Sequence, residues 1–257
     1  MMSEDRRLAA FQRLLDIMDE LRQKCPWDSQ QTFESLRYLT IEETYELSDA
    51  IIDKKYEDVG KELGDLMLHI VFYAKLGAEA NLFDIADVLN GICNKLIVRH
   101  PHVFGEVEAA NAEAVRNNWE KIKLKEGNKS VLGGVPVSLP AMIKAYRIQE
   151  KAHGVGFDWN NRAQVWQKVQ EELQEFMVED EARSEKMEEE FGDLLFALVN
   201  YARFVHLNPE DALERANRKF MERFQFIEKN VKDENRNWSD MSLEEMELLW
   251  QQAKKKE

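Results

Sequence analysis

Apolar residues in this chain return at helical spacing. Leu8, Phe11, Leu14, Leu15 and Met18 fall mostly three or four residues apart, and the same rhythm recurs in Leu63, Leu66, Met67 and Ile70 and in Phe191, Leu194, Leu195 and Leu198. A period near 3.6 places each set on one stripe of a helix. No convincing run alternates polar with apolar residues in the two-residue period of a strand. The pattern predicts an all-α protein, each half a small bundle of roughly four or five helices. Gly and Pro are sparse except in KEGNKSVLGGVPVSLP, Lys125 to Pro140, which reads as a linker. The expected organisation is a helical domain over 1–124, a linker over 125–140 and a second helical domain over 141–257.

The two halves repeat each other. CPWD, ending at Asp28, matches VGFD, ending at Asp158, and each closes a first helix. An acidic signature follows in both: Glu42, Glu43 and Glu46 with Glu62 and Asp65, then Glu171, Glu172 and Glu175 with Glu190 and Asp193. Lys95 and Arg99 match Lys219 and Arg223, and Trp119 and Lys123 match Trp250 and Lys254. Matched elements in one order indicate a duplication, and its period is domain-sized, too long for a stacked solenoid.

Residues three or four apart on a helix share a face, so Glu43 with Glu46 and Glu62 with Asp65 form same-face acidic pairs. Carboxylates gathered in this way repel unless a cation sits among them. Magnesium binds through a few carboxylates and completes its shell with phosphates and water. Acidic runs on helices are ordinarily solvated faces, but three features argue otherwise here. The helix carrying Glu62 and Asp65 has a strong apolar stripe and is expected to be largely buried. The pattern recurs a domain later. Gly64 and Gly192 sit inside the second acidic pair of each copy, costing about 1 kcal/mol relative to Ala, and are expected to permit close helix approach.

Charge and composition narrow the chemistry. A net charge of -14, from 49 acidic and 35 basic residues, argues against a general grip on nucleic acid. A small anion remains compatible if metal ions screen it. Cys25 and Cys93 cannot form a disulfide framework, fit a reducing compartment and are expected to be buried small hydrophobes. The opening MMSEDRRLAAF lacks the apolar run of a signal peptide, and the apolar stretches around Val71 and Leu195 are too short to span a bilayer. The expectation is a soluble cytoplasmic protein. No P-loop, dinucleotide fingerprint or nucleophile elbow is present, so phosphate binding must come from metals and cationic side chains.

With its EExxE and ExxD motifs, the CPWD and VGFDW segments and a WxxxK near the end of each half, nearly the whole chain resembles the MazG family of nucleoside triphosphate pyrophosphohydrolases. The resemblance implies an all-α fold, dependence on Mg2+ with Mn2+ as a substitute, and hydrolysis of a nucleoside triphosphate to a monophosphate and pyrophosphate. By position it makes Glu172, Glu175, Glu190 and Asp193 the metal ligands of the second half, with Glu171 beside them. Glu43, Glu46, Glu62 and Asp65 are the counterparts in the first. It also implies a homodimer and a role in clearing abnormal nucleotides.

Such a reaction needs an activated water and neutralised phosphate charge. Glu171 or Glu172 is expected to accept the water's proton. Lys219 and Arg223, one helical turn apart, could bind the departing pyrophosphate; Lys254 with Trp250 suggests a cation beside a base-stacking plane, and Trp159 is a weaker stacking candidate. Lys186, four residues before Glu190, is expected to share its face and reach a phosphate, whereas the equivalent place before Glu62 holds Asp58. The second half is therefore expected to be the better catalyst. His69 reads as a packing residue, and His100 and His102 carry no catalytic role. Two other readings stay open: a di-iron carboxylate bundle, although neither cluster has the Glu-x-x-His pairs of that chemistry, and a non-catalytic helical interaction protein. Base preference is not legible.

Overall fold

The computed structural model describes residues 5–107, 111, 115, 119, 122 and 130–256, and among these there is no strand. The chain divides into two compact units, Met1–Ala110 and Asn111–Glu257. Lys123 and the first part of the expected linker lie outside the described residues. Among the described residues, no helix is long and apolar enough to cross a membrane.

Unit 1 contains helices α1 (Arg6–Lys24), α2 (Phe33–Ile52), α3 (Tyr56–Glu79), α4 (Ile85–Arg99) and the single turn α5 (Pro101–Phe104). Thr32 starts α2 through a capping box with Ser35, each side chain accepting from the other's backbone N–H. Three residues connect α2 to α3, with Lys54 at φ 57°, and a connection this short makes the two helices an antiparallel hairpin. Gly77 is required where α3 ends, because a Cβ there would stand 2.7 Å from the carbonyl oxygen of Phe83. Met18 of α1, Leu36 of α2 and Val71, Phe72 and Leu76 of α3 form the core, with Leu39 and Leu68 packed against it.

Unit 2 contains α6 (Ala141–Gly154), α7 (Arg162–Ala182), α8 (Met187–Phe204), α9 (Pro209–Asp233) and α10 (Leu243–Lys254). Helices α7 and α8 form the hairpin equivalent to α2 and α3; α7 ends on Arg183 in the left-handed region at φ 49°. Val169, Leu194 and Ala197 are the core between them, with Phe176 and Tyr201 at its edge. Helices α9 and α10 close on a second apolar cluster of Ile227, Val231 and Met241 that also holds Trp250.

Three expectations are corrected. The apolar stripes of α3 and α8 are not wholly buried: Leu63, Met67 and Ile70 keep 40–52% of their surface, and Phe191, Leu195 and Leu198 keep 41–47%. Helix α3 spans a full bundle length, so its core-facing residues, Val71 and Phe72 among them, occupy a different stripe. Gly64 and Gly192 permit no close helix approach within either unit, since a Cβ at each would meet open space. Cys93 is exposed rather than buried.

Candidate functional site

The helical hairpins gather the carboxylates as their spacing requires. In unit 2, Glu172 and Glu175 of α7 meet Glu190 of α8, with carboxylate oxygens all within 4.8 Å of one another. In unit 1, Glu43 of α2 meets Glu62 and Asp65 of α3 in the same way. Glu46 and Asp193 stand beside these groups and act on them by charge. Desolvation, then Asp65, Glu46 and Glu62, pushes the Glu43 carboxyl above its ordinary value. Desolvation followed by Glu46, Asp65 and Asp58 does the same to Glu62. Glu190 is raised by desolvation and then by Glu175, Asp193, Glu189 and Glu172.

This donor set fits a hard divalent cation. It consists of carboxylate oxygens at a spacing one ion can bridge, and their mutual repulsion is the energy that two positive charges would remove. The groups contain carboxylates only, so they match magnesium or manganese better than the mixed Glu/His set of a di-iron bundle.

Unit 2 adds a cation to the cluster. Lys168, one turn before Glu172, places its Nζ 2.7 Å from Glu171 and 2.7 Å from Glu172. Its bonds to Glu171 and then Glu172 hold the ammonium well above the ordinary lysine value. Glu172 is buried, with 7% of its surface exposed, whereas Glu171 is turned outward and tied to Lys168. Lys186 caps the start of α8, one turn before Glu190, is exposed, and donates its backbone N–H to the Ser184 hydroxyl. Asp58, its counterpart in unit 1, is paired with Lys61 at 2.7 Å.

Beside the carboxylates of unit 2 lies a cleft of about 560 Å³, a size suited to a small organic ligand. Lys168, Glu172 and Asp193 form its end at the cluster, and Ile148, Phe157, Trp159 and Phe196 supply apolar walls. Its lining also includes the polar residues Asp158, Asn200 and Arg203. Arg203, 9% exposed, donates from Nη2 to Asp158 at 2.6 Å and to Asn200 Oδ1 at 2.9 Å, and from Nε to the same Asn200 oxygen at 3.1 Å. Both bonds to one amide oxygen settle which end of the Asn200 amide faces the guanidinium and leave its NH2 as a donor. Burial would push the Asp158 carboxyl up; the bond from Arg203, the Trp159 N–H and the charges of Arg203 and His153 outweigh it and hold the carboxyl below the ordinary range.

The basic residues expected to bind pyrophosphate lie elsewhere in unit 2. Lys219 on α9 and Lys254 on α10 are exposed. Arg223 lies over the Trp250 ring at 5.3 Å, and Phe220 packs 5.1 Å from that ring. Lys186, Lys219, Arg223, Trp250 and Lys254 are all absent from the cleft lining, and the indole on its wall is that of Trp159. Sequence reasoning missed Lys168, although its spacing from Glu171 and Glu172 is a helical signal. It also missed Arg203 and Asn200, for which no local spacing exists. In unit 1, His69 is buried at 7% exposure, consistent with the packing role expected of it.

The comparisons with known proteins bear on the same segments. The model of the MazG nucleotide pyrophosphohydrolase domain matches this chain twice, at residues 31–104 and 161–226, the stretches that carry both carboxylate hairpins. A nucleoside triphosphate pyrophosphohydrolase of Escherichia coli K12 is 44% identical over 258 residues, covering 95% of this chain and 97% of that protein. The nucleoside triphosphate pyrophosphohydrolase/pyrophosphatase MazG of Thermotoga maritima is 41% identical over 249 residues, covering 95% of each. An uncharacterized protein, YabN, of Bacillus subtilis is 44% identical over 254 residues, covering 96% of this chain and 52% of that longer protein. A duplicated family domain and end-to-end identity at this level establish that the chain belongs to the MazG nucleotide pyrophosphohydrolase family.

Proposed function

We propose that this chain hydrolyses nucleoside triphosphates to a nucleoside monophosphate and pyrophosphate, with magnesium, at the site in unit 2. One observation carries the reading: the carboxylate cluster opens into the cleft through Glu172 and Asp193. A phosphate chain held at the cluster would lay its nucleoside between apolar walls of fitting size. The names of the E. coli and T. maritima relatives support the same reaction.

Glu172, Glu175 and Glu190, with Asp193 beside them, would hold the ion. Bound magnesium neutralises phosphate charge and acidifies a coordinated water. Glu171 or Glu172 accepts the proton of the attacking water, and Lys168 fixes both carboxylates in place. Trp159, 43% exposed on the cleft wall, offers a stacking face to a base. Lys219, Arg223 and Lys254 remain the candidates for the leaving pyrophosphate, with Trp250 as the platform that positions Arg223, and Lys186 remains a candidate to reach a phosphate of the substrate. Manganese would substitute for magnesium.

A second copy of the chain is the partner this reading assigns to the exposed stripes of α3 and α8, giving a homodimer. Two free cysteines fit a reducing cytoplasm, and clearing abnormal triphosphates from the nucleotide pool is the role the reaction suits. A panel of canonical and altered triphosphates, assayed with magnesium and scored for products, tests the reading. Monophosphate plus pyrophosphate supports it; diphosphate plus phosphate, or no turnover on any substrate, rejects it.

A further inference from the structure

Two side-chain amides line the cleft of unit 2, and each has one end already taken. Gln149 of α6 is 6% exposed and donates from Nε2 to the backbone carbonyl of Phe196 on α8 at 2.8 Å. That bond leaves Oε1 as the free end, and the oxygen is buried without a hydrogen-bond partner among the described residues. Buried acceptors are rarely left so, because the lost bonds to water are not replaced. Asn200 is the converse case. Its Oδ1 accepts twice from Arg203, so its NH2 is the end left to donate.

Helix α8 sets how far these amides stand from the carboxylates. Asp193, Phe196 and Asn200 follow one another at three and four residues, share one face of the helix, and all line the cleft. From Asp193 to Asn200 the helix rises about 10 Å, which is the order of the reach from an α-phosphate across a ribose to the hydrogen-bonding edge of a base. Within an α-helix the carbonyl of Phe196 points toward the N–H of Asn200, so the Gln149 amide bonded to that carbonyl stands at the level of Asn200.

We infer that Gln149 and Asn200 bind the edge of the nucleobase, Gln149 Oε1 accepting an N–H of the base and the Asn200 NH2 donating to the ring nitrogen or carbonyl beside it. Adenine supplies such a pair in its amino group and N1, and guanine in its N1–H and O6. Arg203 then has a positioning role, because it occupies the Asn200 oxygen and leaves the NH2 for the base. The assignment rests on the hydrolase reading above and names the groups by which that site tells a nucleotide from a bare polyphosphate.

The test compares ATP with purine riboside triphosphate, which carries hydrogen in place of the adenine amino group, as substrates of the full chain with magnesium. The wild type should favour ATP in kcat/KM by about 10-fold, with the difference in KM. Gln149→Leu should bring the ratio close to one by weakening ATP. Should that variant fail to fold, the same ratio is read in Gln149→Met, which keeps the length of the side chain and lacks the amide. A wild-type ratio near one, or a folded variant that loses activity equally on both substrates and keeps the wild-type ratio, overturns the assignment. No pyrophosphate from any triphosphate removes the hydrolase reading itself; turnover of other triphosphates but not ATP, or equal efficiency on the two purines, removes the base-edge assignment alone.

Discussion

At the scale of single residues, the site joins groups that spacing could announce to groups that only contact reveals. Glu172 is buried, shared between cluster and cleft, and held by Lys168. Glu172→Gln keeps its shape and removes the charge, so turnover should fall by about 100-fold or more while melting behaviour is kept; a folded variant with full turnover would falsify its role. Arg203→Leu leaves the Asp158 carboxylate, 13% exposed, without its guanidinium partner. Breaking a buried pair from one side costs about 3 kcal/mol, to be read as a lowered urea midpoint. The depressed Asp158 carboxyl stabilises the fold above the ordinary carboxylate range, and that contribution is lost as pH falls through its folded value. Arg203→Leu should therefore flatten the acid limb of the stability profile.

At the scale of elements, the helical hairpin is the unit that makes the cluster, and its energetics have the opposite sign. Glu43, Glu62 and Glu190 are raised. The folded chain thus holds protons that the unfolded chain gives up, and stability falls as pH rises above the ordinary carboxylate range. A dication removes that repulsion and stabilises the form that binds it. Melting temperature without magnesium should rise as pH is lowered from neutral through the raised carboxyl values, and added magnesium should raise the neutral value and flatten the slope. A melting temperature indifferent to magnesium at neutral pH would count against the cluster as a metal site. The helices themselves were legible: the Thr32 capping box and the 3.6-residue period of α3 are local properties. Which stripe of α3 faces inward was not, because α3 is apolar on more than one side and the neighbouring helices choose among them.

At the scale of the whole molecule, the duplication carries unequal halves. Neutralising Glu190 and Asp193 together should cost more pyrophosphate release than neutralising Glu62 and Asp65 together; the reverse order would reject unit 2 as the principal site. The expected asymmetry rested on Lys186 and Asp58; the structure adds Lys168 beside Glu171 and Glu172 and a cleft at the unit 2 cluster. The exposed stripes should hold a dimer, so Leu195→Glu should shift the sedimentation coefficient toward monomer; a wild type that sediments as a monomer at micromolar concentration would remove the dimer proposal. The amino-acid order by itself determined the all-α class, the repeat and the five-carboxylate signature of each half, because helix periodicity and motif spacing act over a few residues. Tertiary structure alone decided that α6, α7 and α8 leave a cleft beside the unit 2 cluster and that Arg203 reaches Asp158 across 45 positions of sequence. Those outcomes depend on which side chains from distant segments share a volume, and no local period encodes that.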